Sequence, residues 1–263
     1  MRDVLVDISL RAGKLLRERF FEISNGRDLK IEEKAKNDFV TEIDVEIEEF
    51  IKGELAKYNI PIVGEETSNI TTYDTYIIVD PIDGTRNFMR KNPHFAVNIA
   101  LICNKEPTIA ITYDPLKEEF FFAEKGKGAF LNGEKILSSQ NDDISKGIVA
   151  LGLPYRGIEI LERMMEVYRR LYKTGCAIRH TGSAALDLAY VACGRYDAMV
   201  EFFLSPWDVI PGILLVKEAG GKIDSIMDKK PEDGWIIAGG KLFEKVYNIV
   251  NDTFNLRKEG QDG

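Results

Sequence analysis

The stretch that most constrains this chain is Tyr76–Phe88, which reads YIIVDPIDGTRNF. Its first four residues are apolar and predict a buried β-strand that delivers Asp80 at its end. Pro81 is expected to interrupt the pairing of this strand, and a second carboxylate, Asp83, follows three residues after the first. The Gly-Thr pair that comes next is expected to open a short helix, whose free N–H groups attract anions. Two carboxylates beside a helix start suggest that a divalent metal and a phosphate group are held together.

The same letters also have a purely structural explanation. An Asp-Pro-x-Asp-Gly string is ordinary turn chemistry, because proline presets φ, aspartate caps and glycine accepts a positive φ. By itself the motif favours a turn, and the other features of the chain have to decide between the two interpretations.

Composition narrows the classes of function. The chain has 263 residues, enough for one large domain or two small ones packed together. Its 35 Lys and Arg against 43 Asp and Glu give a net charge of −8. Nucleic acid is therefore not expected as a main partner, because phosphate backbones require clustered cations. An acidic protein that acts on phosphate esters would need metal ions to offset the charge repulsion.

The cellular compartment is inferred from cysteines and hydropathy. The three cysteines show no C-x-x-C pair and no metal-like spacing, which is typical of free thiols in a reducing compartment. The sequence has no run of about 18 apolar residues that would span a membrane, and its N-terminus lacks the apolar core of a signal peptide. We therefore expect a cytoplasmic protein with no membrane association.

The first part of the chain predicts helices followed by an antiparallel sheet. Residues 3–21 form an amphipathic helical pattern, and the charged segment 30–37 (KIEEKAKN) predicts a solvated strand edge or loop. Thr41 is the expected N-cap of a second helix, which makes Asp44 in its first turn a capping acid. Four β-rich runs separated by turn residues predict an antiparallel meander, at residues 95–103, 107–114, 119–124 and 129–131.

The pattern changes after about Ser138, where the polar stretch SSQNDDISKG is the predicted boundary between residues 1–138 and 139–263. Beyond it strands and helices alternate, which predicts an α/β layer with largely parallel strands. The predicted strands are 148–151, 177–180, 198–202, 221–224 and 235–238, and the predicted helices are 158–172, 183–194, 209–219 and 242–254.

Four acidic positions stand out among these elements. Glu65 follows a short predicted strand, Asp80 and Asp83 lie in the central motif, and Asp208 follows a Pro-Trp pair. Oxygen ligands without a histidine or cysteine cluster favour Mg²⁺ or Mn²⁺ over Zn²⁺. Only two histidines are present, and His180 is interpreted as a polar packing residue.

Three separated motifs and one helix start carry a family resemblance. They are Gly64-Glu65-Glu66, Asp80–Thr85 with Asn87-Phe88, Trp207-Asp208 followed by Glu218–Gly221, and the helix start Gly182–Ala185. In their order along the chain these motifs resemble those of the inositol monophosphatase family, which belongs to the metal-dependent, lithium-sensitive sugar phosphatases. The resemblance covers nearly the whole chain. It implies a five-layered αβαβα sandwich with the site between an α+β half and an α/β half.

The resemblance also implies a metal-ligand set. Glu65, Asp80 and the backbone carbonyl of Ile82 correspond to the ligands of the tighter metal. Asp80, Asp83 and Asp208 correspond to the ligands of a second metal. The implied ion is Mg²⁺, with Mn²⁺ as a substitute.

Catalytic and phosphate-binding residues follow from the same resemblance. The backbone N–H groups of Gly84 and Thr85 are expected to hold the phosphate. Thr85 and Asp44 correspond to the pair that orients the attacking water, and Glu65 belongs with them to the catalytic group. This implied role replaces the interpretation of Asp44 as only a capping acid.

The implied substrate-binding residues are Asp83, Gly182, Ser183, Ala184, Glu201 and Asp208. Ser183 is also a natural helix N-cap, a role that is compatible with substrate binding. Glu201 ends an apolar strand, where a carboxylate is unlikely to serve the core without a partner. Arg86 is interpreted as a surface side chain on the phosphate-binding helix.

The resemblance implies hydrolysis of a phosphate monoester. The implied substrates are myo-inositol monophosphate and related small polyol or sugar phosphates. It also implies that the protein forms a homodimer. Three alternatives stay open. They are hydrolysis of fructose-1,6-bisphosphate, removal of the 3′-phosphate of phosphoadenosine nucleotides, and a regulatory role as an RNA-polymerase-associated partner.

Overall fold

The structure is a computed structural model, and it describes residues 1–35, 37–66, 73–153, 158–226 and 234–255. The helices of these ranges are α1 (Arg2–Ser24), α2 (Glu42–Leu55), α3 (Thr85–Met89), α4 (Leu161–Lys173), α5 (Ala184–Ala192), α6 (Pro206–Glu218) and α7 (Phe243–Phe254). The strands are β1 (Ile31–Ala35), β2 (Asp38–Thr41), β3 (Ile62–Gly64), β4 (Tyr76–Asp83), β5 (Ala96–Cys103), β6 (Glu106–Asp114), β7 (Glu119–Glu124), β8 (Gly128–Leu131), β9 (Glu134–Ile136), β10 (Ile148–Leu151), β11 (Ala177–Arg179), β12 (Ala198–Phe202), β13 (Lys222–Ile226) and β14 (Trp235–Gly239).

The strands of the described ranges form two large sheets and one hairpin. The first sheet has the order β3-β4-β5-β6-β7-β8-β9, and the second has the order β11-β10-β12-β14-β13. Strands β1 and β2 pair with each other as an antiparallel hairpin. The predicted meander is confirmed in β5 to β8, and β9 extends it by one further strand.

Helices and sheets are stacked in five layers. Helices α1 and α2 cover one face of the first sheet, α5 and α6 lie between the two sheets, and α4 and α7 cover the outer face of the second. Each interface is apolar, so the stacking removes both faces of each sheet from water. This arrangement confirms the predicted five-layered αβαβα fold.

The second sheet has fewer parallel strand pairs than the alternation of strands and helices predicts. Strand β10 runs parallel to β11 and β12, but β14 runs antiparallel to both of its neighbours, β12 and β13. Only residues 227–234 separate β13 from β14 in the chain. A parallel crossover needs about a dozen residues or more, so this connection is too short for one.

Strand β4 continues through the central motif instead of ending at its first carboxylate. Its pairing with β5 shifts register between Asp80 and Asp83, so Pro81 interrupts the ladder without ending the strand. A bulge of this kind redirects the side chains beside it. It allows both carboxylates to reach the cavity described below.

Helix α6 begins three residues earlier than predicted, at Pro206. Proline is favourable at the first helical position, because its missing N–H would have no partner there. Asp208 therefore lies in the first turn of the helix rather than before it, and Pro211 lies one turn further in. The second helix agrees with prediction, since Thr41 caps α2 and forms a capping box with Asp44.

The charged segment 30–37 contains an exposed strand, β1, although residue 36 lies outside the described residues. Its partner β2 was not predicted, because residues 38–41 were assigned to the approach to α2. Within the described part of the chain, every helix is too short or too polar to cross a bilayer.

Candidate active site

A cavity of about 510 Å³ opens where the bulge of β4 meets the first turns of α3, α5 and α6. Ten of the predicted site residues line it: Glu65, Asp80, Ile82, Asp83, Gly84, Thr85, Gly182, Ala184, Glu201 and Asp208. The other two, Asp44 and Ser183, are buried behind this lining and each hydrogen-bonds to one of its residues. The structure thus brings all twelve predicted residues to one place.

Three carboxylates from three different elements converge in this cavity. Glu65 follows β3, Asp80 lies in β4, and Asp208 lies in the first turn of α6. One oxygen atom of each lies within 4.8 Å of one oxygen of the other two. Burial raises the pKa of Asp80 well above its ordinary value, and the charge of Glu65 adds to this effect. Closely spaced carboxylate oxygens fit a hard dication such as Mg²⁺ or Mn²⁺, which would also relieve their repulsion.

The position of Glu65 depends on the close packing of the Gly64 backbone against the Glu48 side chain. A Cβ atom at Gly64 would lie 2.3 Å from the carboxyl carbon of Glu48, so a larger residue here would displace the Glu48 side chain. The buried Glu48 in turn accepts a hydrogen bond from the N–H of Glu66 at 2.8 Å. The backbone N–H of Glu65 donates to the carbonyl of Val79 at 3.2 Å. Glu65 is therefore held at the end of the first sheet beside β4.

A lysine that the sequence analysis did not identify faces the same acids. Lys34 in β1 places its ammonium 3.1 Å from Glu65 and 2.9 Å from Glu66. Burial and the neighbouring charge of Glu65 raise the pKa of Glu66 to about 7. In the sequence Lys34 is one charge among many in KIEEKAKN, so nothing local distinguishes it from a solvated residue.

Asp83 is held by the start of α5. Its Oδ2 accepts hydrogen bonds from the hydroxyl of Ser183 and from the N–H of Ala185, the latter at 3.2 Å. Burial raises the pKa of Asp83 to about 7, although the hydrogen bond from Ser183 opposes this shift. Asp83 lines the cavity but does not belong to the closest three-carboxylate group.

Asp44 and Thr85 are in contact, as predicted for a pair that acts together. The Thr85 hydroxyl lies 3.1 Å from Asp44 Oδ1 and 3.0 Å from the carbonyl oxygen of Ile82. The other carboxylate oxygen of Asp44 accepts the N–H of Thr41 at 2.8 Å. Asp44 therefore caps α2 and also orients Thr85. Burial raises its pKa to about 6, against the hydrogen bonds from Thr41.

The turn that is predicted to bind phosphate requires a glycine. Gly84 has a φ of +93°, in the left-handed region that favours glycine, and its position leads directly into α3. Asn87, one turn later, donates to the carbonyl of Thr181 at 3.0 Å and to that of His94 at 2.8 Å. The side chain of Asn87 thereby joins α3 to the loop that precedes α5.

Two of the predicted substrate-binding residues, Ser183 and Glu201, lie at the start of α5 and in β12. Ser183 caps α5, and its hydroxyl oxygen accepts the N–H of Leu186 at 3.4 Å. Glu201 lies in β12 and lines the cavity. Its side chain packs on Gly152, where a Cβ atom would lie 2.2 Å from the carboxyl carbon of Glu201. Burial raises the pKa of Glu201 well above its ordinary value.

His180 has another position than the sequence predicts, whereas Arg86 is exposed on α3 as expected. His180 is exposed and lines the cavity rather than packing in the interior, with Nδ1 3.2 Å from the carbonyl oxygen of Leu151. Arg86 also lines the cavity, where it donates to the carbonyl of Asn37 at 2.8 Å and lies over the ring of Phe39. A signal for His180 was present, because it lies two residues before Gly182 in the predicted substrate loop.

Comparison with known proteins identifies the family of this chain. The model of the inositol monophosphatase family matches residues 1–253. Nus factor SuhB of Escherichia coli strain K12 is 37% identical over 226 residues, which cover 84% of this chain and 83% of that protein. An inositol-1-monophosphatase of Caulobacter vibrioides is 38% identical over 228 residues, 84% of this chain and 88% of that one.

A solved structure of similar fold supports the same family assignment. The IMPase of Thermotoga maritima superposes with a TM-score of 0.83 at 32% identity, covering 97% of this chain and 99% of that one. The family match, the identities and the shared fold agree over nearly the whole chain. The chain therefore belongs to the inositol monophosphatase family.

Proposed function

We propose that this protein is a Mg²⁺-dependent phosphomonoesterase that acts on myo-inositol monophosphate and related small polyol or sugar phosphates. The convergence of Glu65, Asp80 and Asp208 in one cavity carries the proposal, in a chain of the inositol monophosphatase family. An acidic protein needs bound cations to accept a dianionic ester. A carboxylate cluster at the bottom of a polar cavity meets this need.

The residues that would hold the metal are Glu65, Asp80, Asp83, Asp208 and the carbonyl of Ile82. When bound, Mg²⁺ would lower the pKa of a coordinated water and offset the negative charge that develops on the phosphoryl group. An oxygen of Asp80 lies within 4.8 Å of an oxygen of Glu65 and of Asp208, and the charge of Asp83 also acts on Asp80. Asp80 is therefore the carboxylate we assign to both metal positions.

Thr85 and Asp44 would aim the attacking water. The Thr85 hydroxyl would donate its hydrogen bond to Asp44, which leaves a lone pair of the Thr85 oxygen to accept a hydrogen bond from water. With a pKa of about 6, Asp44 is mainly charged at neutral pH and can serve as this acceptor. The N–H groups of Gly84 and Thr85 at the start of α3 would hold the phosphate beside it.

The remaining wall of the cavity fits a polyol. Glu201 and the loop Gly182–Ala184 offer a carboxylate, a carbonyl and N–H groups, which suit the hydroxyl groups of a small sugar or cyclitol. A volume of about 510 Å³ lies within the usual range for small-ligand sites, roughly 300–1,000 Å³.

Phosphate release from three substrates tests the proposal. Myo-inositol-1-phosphate, fructose-1,6-bisphosphate and phosphoadenosine phosphate are each supplied with and without Mg²⁺, and with added Li⁺. We expect Mg²⁺-dependent, Li⁺-sensitive release that is fastest with the inositol ester. Faster release from the bisphosphate or the nucleotide would move the assignment to that substrate. The absence of release from all three would contradict it.

The name of the Escherichia coli relative favours a second candidate function, that of a Nus factor. The two functions are separable by mutation, because a variant without a complete carboxylate set would lose hydrolysis and keep its outer surface. A cytoplasmic location and a homodimer, which the family resemblance implies, are part of the main proposal. Light scattering coupled to size-exclusion chromatography would measure the oligomeric state.

A further inference from the structure

A buried amide lies directly behind the carboxylate cluster. Asn98 in β5 is fully buried and is the register partner of Asp80 in β4. Neighbouring positions on β5 are apolar, so an amide here requires hydrogen-bond partners to offset its desolvation. Those partners lie on α6, the helix that carries Asp208.

Helix α6 has a carbonyl that lacks its normal helical donor. The carbonyl of Trp207 would ordinarily accept the N–H four residues later, but that residue is Pro211, which has none. The side-chain nitrogen of Asn98 lies 2.7 Å from the Trp207 carbonyl oxygen and 3.2 Å from that of Asp208. The amide therefore replaces the donor that proline removes.

The orientation of this amide is set from the opposite side. The hydroxyl of Thr112 in β6, itself fully buried, donates to the side-chain oxygen of Asn98 at 2.7 Å. With its oxygen engaged by Thr112, the amide directs its NH₂ group toward α6. A chain of hydrogen bonds thus runs from β6 through β5 to the first turn of α6.

We propose that Asn98 is a positioning residue that sets the distance between Asp80 and Asp208 and so determines the affinity for a divalent cation. This inference rests on the proposed function. The backbone of Asn98 pairs with the strand that carries Asp80, and the side chain of Asn98 donates to the turn that carries Asp208. Without the Asn98 side chain, the carbonyl groups of Trp207 and Asp208 lose this donor, and the first turn of α6 loses its attachment to β5.

Direct titration with Mn²⁺, followed by electron paramagnetic resonance of the free ion, tests the inference without relying on turnover. In Asn98→Ala we expect a dissociation constant about 10-fold higher or more, the usual effect of losing an outer partner of a metal site. The matched control is Thr112→Ser, which removes a buried methyl group beside the same network and keeps the hydroxyl that donates to Asn98. Thr112→Ser should lower the melting temperature but change the dissociation constant less than about two-fold.

A rescue experiment separates positioning from general destabilisation. Pro211→Ala restores the backbone N–H, which can then donate to the Trp207 carbonyl within the helix. In that background Asn98→Ala should weaken Mn²⁺ binding by less than about three-fold, well short of its effect alone. If Asn98→Ala does not fold, Asn98→Ser takes its place with the same expected direction.

The outcomes identify which proposal fails. Unchanged Mn²⁺ affinity in the Asn98 variant, or an equal loss with and without Pro211→Ala, would overturn the role of Asn98 and leave the proposed function standing. Wild-type protein that binds no Mn²⁺ would overturn the proposed function itself.

Discussion

Asp83 is a predicted site residue whose burial is costly to the fold. Its carboxyl group is buried, and its pKa is raised to about 7 because burial disfavours the charged form. The start of α5 compensates in part, through the hydroxyl of Ser183 and the N–H of Ala185. The same physical argument applies to Asp44, whose buried carboxylate is held by Thr41 and Thr85.

Asp83→Asn tests this opposition between stability and activity. Asparagine keeps the size and an acceptor oxygen but removes the buried charge, so the fold should persist with an unchanged or higher melting temperature in chelator. Phosphate release should fall by about 100-fold or more, because a charge that supports the transition state is lost. Near-wild-type turnover would contradict the metal assignment. Asp187→Asn is the control, since this buried acid has a pKa of about 8 and is mainly protonated at neutral pH.

Thr85→Val tests the water-orienting pair. Valine has nearly the shape of threonine but lacks the hydroxyl that contacts Asp44 and the Ile82 carbonyl. We expect kcat to fall by about 100-fold or more, the usual range for a lost proton-relay group, while KM changes little. Thr85→Ser keeps the hydroxyl and should retain most of the activity. Steady-state kinetics on all three proteins would decide, and equal losses in the valine and serine variants would contradict the assigned role.

At the scale of elements, α6 connects the site to both sheets. Its first turn carries Asp208 and is held by Asn98 of the first sheet. At its other end, Glu218 accepts the N–H groups of Gly126 and Gly128, each at 2.8 Å. The helix is therefore attached to the first sheet near both ends, while its apolar sides fill the space between the sheets.

Glu218→Ala should separate stability from catalysis in this helix. Removing the carboxylate leaves two N–H groups of the β7–β8 turn without their protein acceptor, at a cost of roughly 1–3 kcal/mol. Urea unfolding would measure this loss, and Glu218→Gln, which retains one acceptor oxygen, should lose less. Since Glu218 lies at the far end of α6 from Asp208, kcat of the folded protein should stay within about two-fold of wild type. A large drop in kcat would show that the two ends of α6 are coupled.

At the scale of the whole molecule, the buried carboxyl groups of the candidate site link stability to pH. Asp83 and Asp44 have folded-state pKa values of about 7 and about 6, above the ordinary 3.8. Between the ordinary and the raised values the folded protein binds more protons than the unfolded chain. The contribution of these groups to the free energy of unfolding therefore falls as pH rises from about 4 to about 7, in the absence of a divalent cation.

Added Mg²⁺ should reverse this loss. A dication binds the deprotonated carboxylates, so the rise in melting temperature on adding Mg²⁺ should be larger at about pH 8 than at about pH 5. Differential scanning fluorimetry at constant ionic strength, with NaCl as the control salt, would measure the shifts. An equal shift at both pH values would show that Mg²⁺ acts elsewhere than on this cluster.

Much of this fold is predictable from local sequence. The capping box of α2, the meander after β4 and the helix start at Ser183 all follow from residue types at fixed spacing. The errors occurred where local signals compete. Pro206 was not recognised as the first residue of α6, because the Pro-Trp-Asp string also fits a turn. The direction of β14 depends on which strands it joins, and no alternation of elements encodes that.

The sequence by itself determined the strand that carries Asp80 and the helix starts at Thr85 and Ser183, because each of these depends on residues close together in the chain. Only the tertiary structure decided that Lys34 faces Glu65, that His180 lines the cavity, and that Asn98 supplies the hydrogen bond missing in α6. Such contacts join residues far apart in the chain, 109 positions in the case of Asn98 and Trp207. Local propensity carries no information on contacts of that span, which arise only when the layers pack.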